Sequence, residues 1–162
     1  MKKWFVILLA AMSGCYHYHL LTPAELASRG TRQFSQTTQT QAVEATASAL
    51  ETLGYKVTLK VPETGLLKTA PKVFVVYATG NASSATAHED AVAWNVQVEP
   101  ASTGVVIHAS PRGFRNGTEI TERGMPDVVI EPKFRDLWKE ISSSLGSPAV
   151  EAAPTADPNQ KR

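Results

Sequence analysis

The sequence predicts an α+β fold, an antiparallel sheet of about four to five strands with two helices packed on one face (helix-grip-like). Three observations carry this. Residues 55–61 and 92–98 alternate apolar and polar side chains, the period of a strand covered on one side only. Two other stretches repeat apolar residues every three or four positions, the period of a one-faced helix. Short turns at 62–65 and 100–104, rather than helical crossovers, join two pairs of strands, and antiparallel neighbours need no more than that.

The first strand is Thr31 to Ser35, with Phe34 as its one apolar side chain. A helix follows. Thr38 and Gln41 have capping-box spacing, the hydroxyl covering early amides and Gln41 reaching back. Val43, Ala47, Leu50 and Leu53 line one face, and Gly54 is placed to end the helix in the left-handed conformation. In the next strand Tyr55, Val57, Leu59 and Val61 fall on the covered side, with Lys56, Thr58 and Lys60 on the wet side. Pro62 to Gly65 is a turn. Leu66 to Tyr77 returns as a strand broken near Pro71, which cannot donate to a ladder. Its second half, Val73 to Tyr77, is continuously apolar and is expected to be deeply buried.

Ala78 to Asp90 reads as a long polar loop. Val92, Trp94, Val96 and Val98 then mark a one-sided strand, Pro100 to Gly104 turns it, and Val105, Ile107 and Ala109 share a face of its return to Arg112. Residues 113–127 read as loop, with Thr118 to Glu122 an added edge strand. The last helix opens at Glu131-Pro132, proline being tolerated in a first turn. Phe134, Leu137, Trp138, Ile141 and Leu145 are its apolar face, and Gly146 ends it. Trp94, Phe74, Phe134 and Trp138 are the expected core aromatics. The domain thus spans residues 31–146. Residues 147–162, with Pro148, Pro154 and Pro158 and few large apolar side chains, read as a disordered tail.

Residues 1–14 have the three-part layout of a secretory signal: Lys2 and Lys3, the apolar run Trp4 to Met12, then Ser13 and Gly14. The apolar run is too short to span a bilayer, which takes about 20 residues. The ending Met12-Ser13-Gly14-Cys15 resembles the lipobox of bacterial lipoproteins. That resemblance implies cleavage before Cys15, a diacylglyceryl group on its thiol and a third acyl chain on the freed amine. Each buried methylene contributes about 0.8 kcal/mol, and two chains already give stable anchoring. The plainer reading is an ordinary secretory signal with a cysteine near the cut. Tyr16 stands where such lipoproteins often carry an aspartate for inner-membrane retention, which implies the outer membrane. Residues 15–30 then read as a lipidated tether with a reach of about 50 Å.

Removing residues 1–14 leaves 148 residues, enough for one domain with a real core. The 16 basic residues fall to 14 without Lys2 and Lys3, against 15 acids, so the mature charge is −1 and nothing points to nucleic acid. Cys15 is the only cysteine, so packing alone must hold the acylated protein together.

Four local patterns resemble the small domains of BamC-type envelope lipoproteins: Arg32-x-Phe34, Leu53-Gly54-Tyr55, Gly65-Leu66 and Phe134-x-x-Leu137-Trp138. The resemblance covers about residues 31–145 and implies a helix-grip arrangement of helix on antiparallel sheet. One such domain fits here, where BamC carries two.

No Ser-x-x-Lys, Gly-x-Ser-x-Gly or His-Glu-x-x-His occurs. No catalytic, cofactor or metal residue is therefore assigned, and the single site residue is Cys15, for lipidation. His17 and His19 are too few for zinc. His88, Glu89 and Asp90 read as a solvated edge, and His108 as a surface residue. The expected function is that of a non-enzymatic outer-membrane lipoprotein, an accessory in envelope assembly or maintenance. Its expected partners are the membrane, through Cys15, and an envelope protein, met by the exposed sheet face and residues 78–90. The alternative is a small-ligand or lipid carrier with a cavity between sheet and helices.

Overall fold

The computed structural model describes residues 19–80, 84–121 and 124–151. In chain order the elements are β1 (Leu20–Leu21), α1 (Pro23–Arg29), β2 (Thr31–Ser35), α2 (Gln39–Thr52), β3 (Val57–Val61), β4 (Leu66–Thr69), β5 (Lys72–Thr79), β6 (Thr86–Ala101), β7 (Gly104–Arg115), β8 (Thr118–Glu119), β9 (Met125–Pro126), α3 (Asp127–Leu145) and β10 (Val150–Glu151). The fold is α+β with an antiparallel main sheet, as the sequence predicts. The sheet is larger than expected. Eight strands run in the order β10-β2-β7-β6-β4-β3, with β5 beside β6 and β8 beside β7, while β1 and β9 form a separate pair.

Strand β6 is the spine. Val92, Trp94, Val96 and Val98 are buried on its inner face, and β7 pairs with it from Asp90 to Ala101. On its other edge β4 pairs with residues 95–97 and β5 with residues 86–92, so β4 and β5 lie in line. Helices α2 and α3 pack together and cover the inner face. The α2 capping box forms as its spacing predicts, with Gln41 N–H donating to the Thr38 hydroxyl and Thr38 N–H to Gln41 Oε1. Gly54 ends the helix at φ +77°. Trp94 sits at the centre, edge-on to Phe134 at 5.3 Å and to Tyr55 at 6.2 Å. Burial pushes the Tyr55 hydroxyl up from its ordinary value, partly offset by the nearby Trp94 indole. Among the described residues the indole N–H itself finds no partner in hydrogen-bond geometry.

Several expectations change. Residues 19–30, expected as part of the 15–30 tether, are folded into the domain. Leu21 is fully buried, β1 pairs with β9, and Thr22 and Glu25 form a second capping box around Pro23. Helix α3 opens at Asp127 rather than Glu131, because the β1–β9 pair delivers the chain there and Asp127 N–H bonds the His19 carbonyl. Pro132 is therefore inside the helix, where its missing N–H leaves Val128 without a helical donor. A bulge between Val57 and Leu59 turns β3 over, so Leu59 and Val61 face the open side. Lys60 points the other way, to Glu44 of α2 at 2.8 Å.

Strand content hides in both expected loops. Ala78 and Thr79 continue β5, Thr86 to Asp90 open β6, and the described part of 113–127 holds the end of β7, β8 and β9. Tail residues Val150–Glu151 pair with β2. The rest of the expected disordered tail, 152–162, lies outside the described residues, as do the signal and Cys15.

Candidate functional site

Strand β5 departs most from expectation. Its run Val73-Phe74-Val75-Val76 was expected in the interior, yet these side chains are 46%, 36%, 37% and 63% exposed. Phe74 is accordingly not a core aromatic. The reason is topological: β5 pairs with β6 on one edge, and among the described residues no strand pairs with the other. An unpaired strand edge presents free N–H and C=O groups that can take up another chain.

The ladder is irregular at one point. Val73 lies opposite Ala91 and Val75 opposite Asp90, leaving Phe74 as the extra residue of a bulge. From Val75 to Thr79 the pairing with β6 is regular. Register fixes the faces. Val75 and Tyr77 lie on the helix side with Asp90 and His88, and Val76 lies on the open side with Glu89. At the bulged end, Lys133 of α3 holds its ammonium 4.4 Å from the centre of the Phe74 ring. Lys72 donates to the Leu53 carbonyl at 2.6 Å and lies over the Tyr55 ring. Burial lowers the Lys133 pKa, and the charge of Lys72 adds to this against Asp136.

The other end of β5 is held by a polar cluster. Arg115 grips Asp90 through two hydrogen bonds, 2.8 and 3.0 Å, and its guanidinium lies 5.9 Å from the Tyr77 ring. Tyr77 stacks on His88 at 5.3 Å. Asn116, at φ +50°, accepts the Glu89 N–H on Oδ1 at 2.8 Å, which turns its Nδ2 to His88 Nδ1 at 3.1 Å. Nδ1 must then accept, so His88 carries its proton on Nε2 and donates to Thr79 at 2.9 Å. The arrangement stiffens the β5–β6 hairpin. Alternation sets Glu89 on the face opposite His88 and Asp90, and the latter two are each held by partners of their own. Arg112 similarly pairs with Glu119, and that pairing holds the Glu119 carboxyl below its ordinary value.

His108, on the open sheet face, bonds Thr31 at 3.1 Å. Among the described residues no group of three metal-type ligands converges. A small, partly open pocket beside β5, lined by Phe74, Val92, Gly113, Ile120, Met125 and Val129, measures about 60 Å³. Sequence reasoning missed the edge and the Arg115–Asp90 and Tyr77–His88 pairs. One signal was available: Asn116-Gly117 is a hairpin dipeptide, and it ends β7 at Arg115, the residue that β6–β7 pairing sets opposite Asp90.

No protein-family model matches the chain. No curated protein matches it. Among solved structures, it is similar to a DUF4468 family protein from Bacteroides ovatus ATCC 8483, with 12% identity and a TM-score of 0.43 over 76% of this chain and 88% of that one.

Proposed function

We propose that the chain is an outer-membrane lipoprotein, acylated on Cys15, that binds an envelope protein rather than catalysing a reaction. The observation that carries the binding role is the exposed apolar edge of β5. Native proteins blunt such edges with charge, proline or a covering segment. Past the bulge at Phe74, Val75 to Thr79 carries none of the first two, and among the described residues no strand covers it. The anchoring role is supported by the signal layout and by Met12-Ser13-Gly14-Cys15. Beside this edge Asp90 is held by Arg115, which stiffens the strand pair that presents it and supports a binding surface.

The test is a cross-linked pull-down from detergent-solubilised envelopes, with Cys15→Ala and Val76→Lys forms run beside the intact protein. Mass spectrometry of the N-terminal peptide reads acylation separately. An acylated peptide and one near-stoichiometric partner, lost with Val76→Lys, is the expected result. An unmodified Cys15 overturns the anchor. No enriched partner in any form overturns the binding role.

A further inference from the structure

The geometry of β5 points to the kind of partner it takes, an inference that rests on the protein-binding reading above. We propose that β5 receives an extended segment of a different protein by antiparallel strand addition, and that this segment carries a carboxylate near its C-terminal end that meets Lys133 and Lys72.

The receiving stretch is Val75 to Thr79, where the ladder is regular. Its outer edge has main-chain groups to offer and no charge or proline to refuse a strand. Antiparallel pairing continues the pattern of the sheet and is the slightly more stable ladder. A strand laid on this edge adds side chains beside Val75 and Tyr77 on the helix side and beside Val76 on the open side. The incoming segment therefore needs apolar or β-branched residues on both faces.

Charge decides between a second copy and a different protein. Lys133 and Lys72 stand at the bulged end of β5, and among the described residues neither lies within ion-pair distance of a carboxylate. Lys133 is half-buried and disfavoured as a cation by that burial and by Lys72. Asp136 opposes this only in part, and a carboxylate arriving there offsets the Lys72 charge and favours the ammonium form. A second β5 contains no acidic residue, so self-pairing brings none. The nearest acids of a second copy, Glu89 and Asp90, sit one strand further in, and Asp90 is already held by Arg115. In an antiparallel arrangement, the segment's C-terminal end passes Phe74, where Lys133 waits.

The test uses the full mature chain in detergent and end-blocked synthetic peptides. The first peptide alternates Thr and Val and ends in two Glu. The second ends in two Lys. Two further versions of the first are N-methylated at alternate residues, one in each register, so that one cannot pair with β5. The readouts are amide-exchange protection along β5 and affinity by titration. Expected are new protection at Val75 to Thr79, loss of binding for one N-methylated register, and about tenfold tighter binding of the Glu peptide, a difference of about 1.4 kcal/mol. In Lys133→Gln, with unchanged melting temperature, the Glu preference shrinks. Unprotected β5 amides at millimolar peptide, or indifference to N-methylation, overturn strand addition. Equal affinity for the Glu and Lys peptides overturns the carboxylate. A partner from the pull-down that stays bound to Val76→Lys leaves the binding role standing and overturns this site alone.

Discussion

The indole N–H of Trp138 donates to the carbonyl of Arg29 at 3.0 Å, tying the middle of α3 to the last turn of α1. A carbonyl in the last turn of a helix has no donor of its own, so this bond closes α1 onto the domain. Trp138→Phe keeps an aromatic ring under Arg32 and removes the bond. The expected loss is about 1 kcal/mol, read as a lowered melting temperature. Faster amide exchange in α1 than in α2 should accompany it.

Acid should loosen α1 selectively. The Thr22 backbone N–H, the His19 ring and the Thr22 hydroxyl hold Glu25 at a pKa of about 2, down from 4.5. A depressed folded pKa contributes stability that is complete above 4.5 and lost as pH falls toward about 2. The capping box of α2 uses Gln41, which does not titrate. Amide exchange followed down this window should show α1 losing protection at its N-terminus while the α2 cap holds. Equal loss in both helices refutes the assignment.

Two glycines with nearly the same backbone separate strain from collision. Gly65 has φ +72° and Gly117 has φ +77°. A Cβ on Gly65 would lie 1.9 Å from the Val98 carbonyl oxygen, whereas one on Gly117 meets nothing within 4 Å. Gly117→Ala should cost about 1 kcal/mol, the left-handed penalty alone. Gly65→Ala should cost clearly more, about 3 kcal/mol or above, because the β3–β4 turn must move off β6. Urea unfolding midpoints of the two variants test the difference.

Val76→Lys should leave the fold intact. Its side chain is 63% exposed on the open sheet face, and surface changes of this kind stay within about 0.5 kcal/mol. The same change places a charge on the free edge, so binding of the Thr-Val peptide that ends in two Glu should weaken. A large drop in melting temperature would mean that β5 is covered in solution.

Elements fixed by local chemistry were the legible ones. Thr38, Gln41 and Gly54 define α2 within its own sequence, and Val92 to Val98 display the two-residue period of a strand with one buried face. Thr22-Pro23-Ala24-Glu25 carries the same kind of cap signal as α2, yet α1 is only seven residues long and shows no repeated apolar face. The β5–β6 arm was illegible for a different reason. Both of its faces meet solvent, so its backbone pairing leaves no alternation in Thr86 to Asp90. Val73 to Val76 misled because a continuous apolar run describes a buried strand and an unpartnered one equally well. Which it is depends on neighbours supplied from elsewhere in the chain. The proposed anchor rests on sequence alone, since Cys15 lies outside the described residues.

The docking of His19 to Leu21 against the start of α3 sets how far the domain can stray. With acyl chains on Cys15, four chain steps separate lipid from folded protein, about 14 Å at full stretch, where an extended 15–30 segment would give about 50 Å. Such a domain is a stud on the leaflet rather than a float on a line. So anchored, it would sweep a thin layer above the membrane and would meet proteins that sit in that membrane or descend to it.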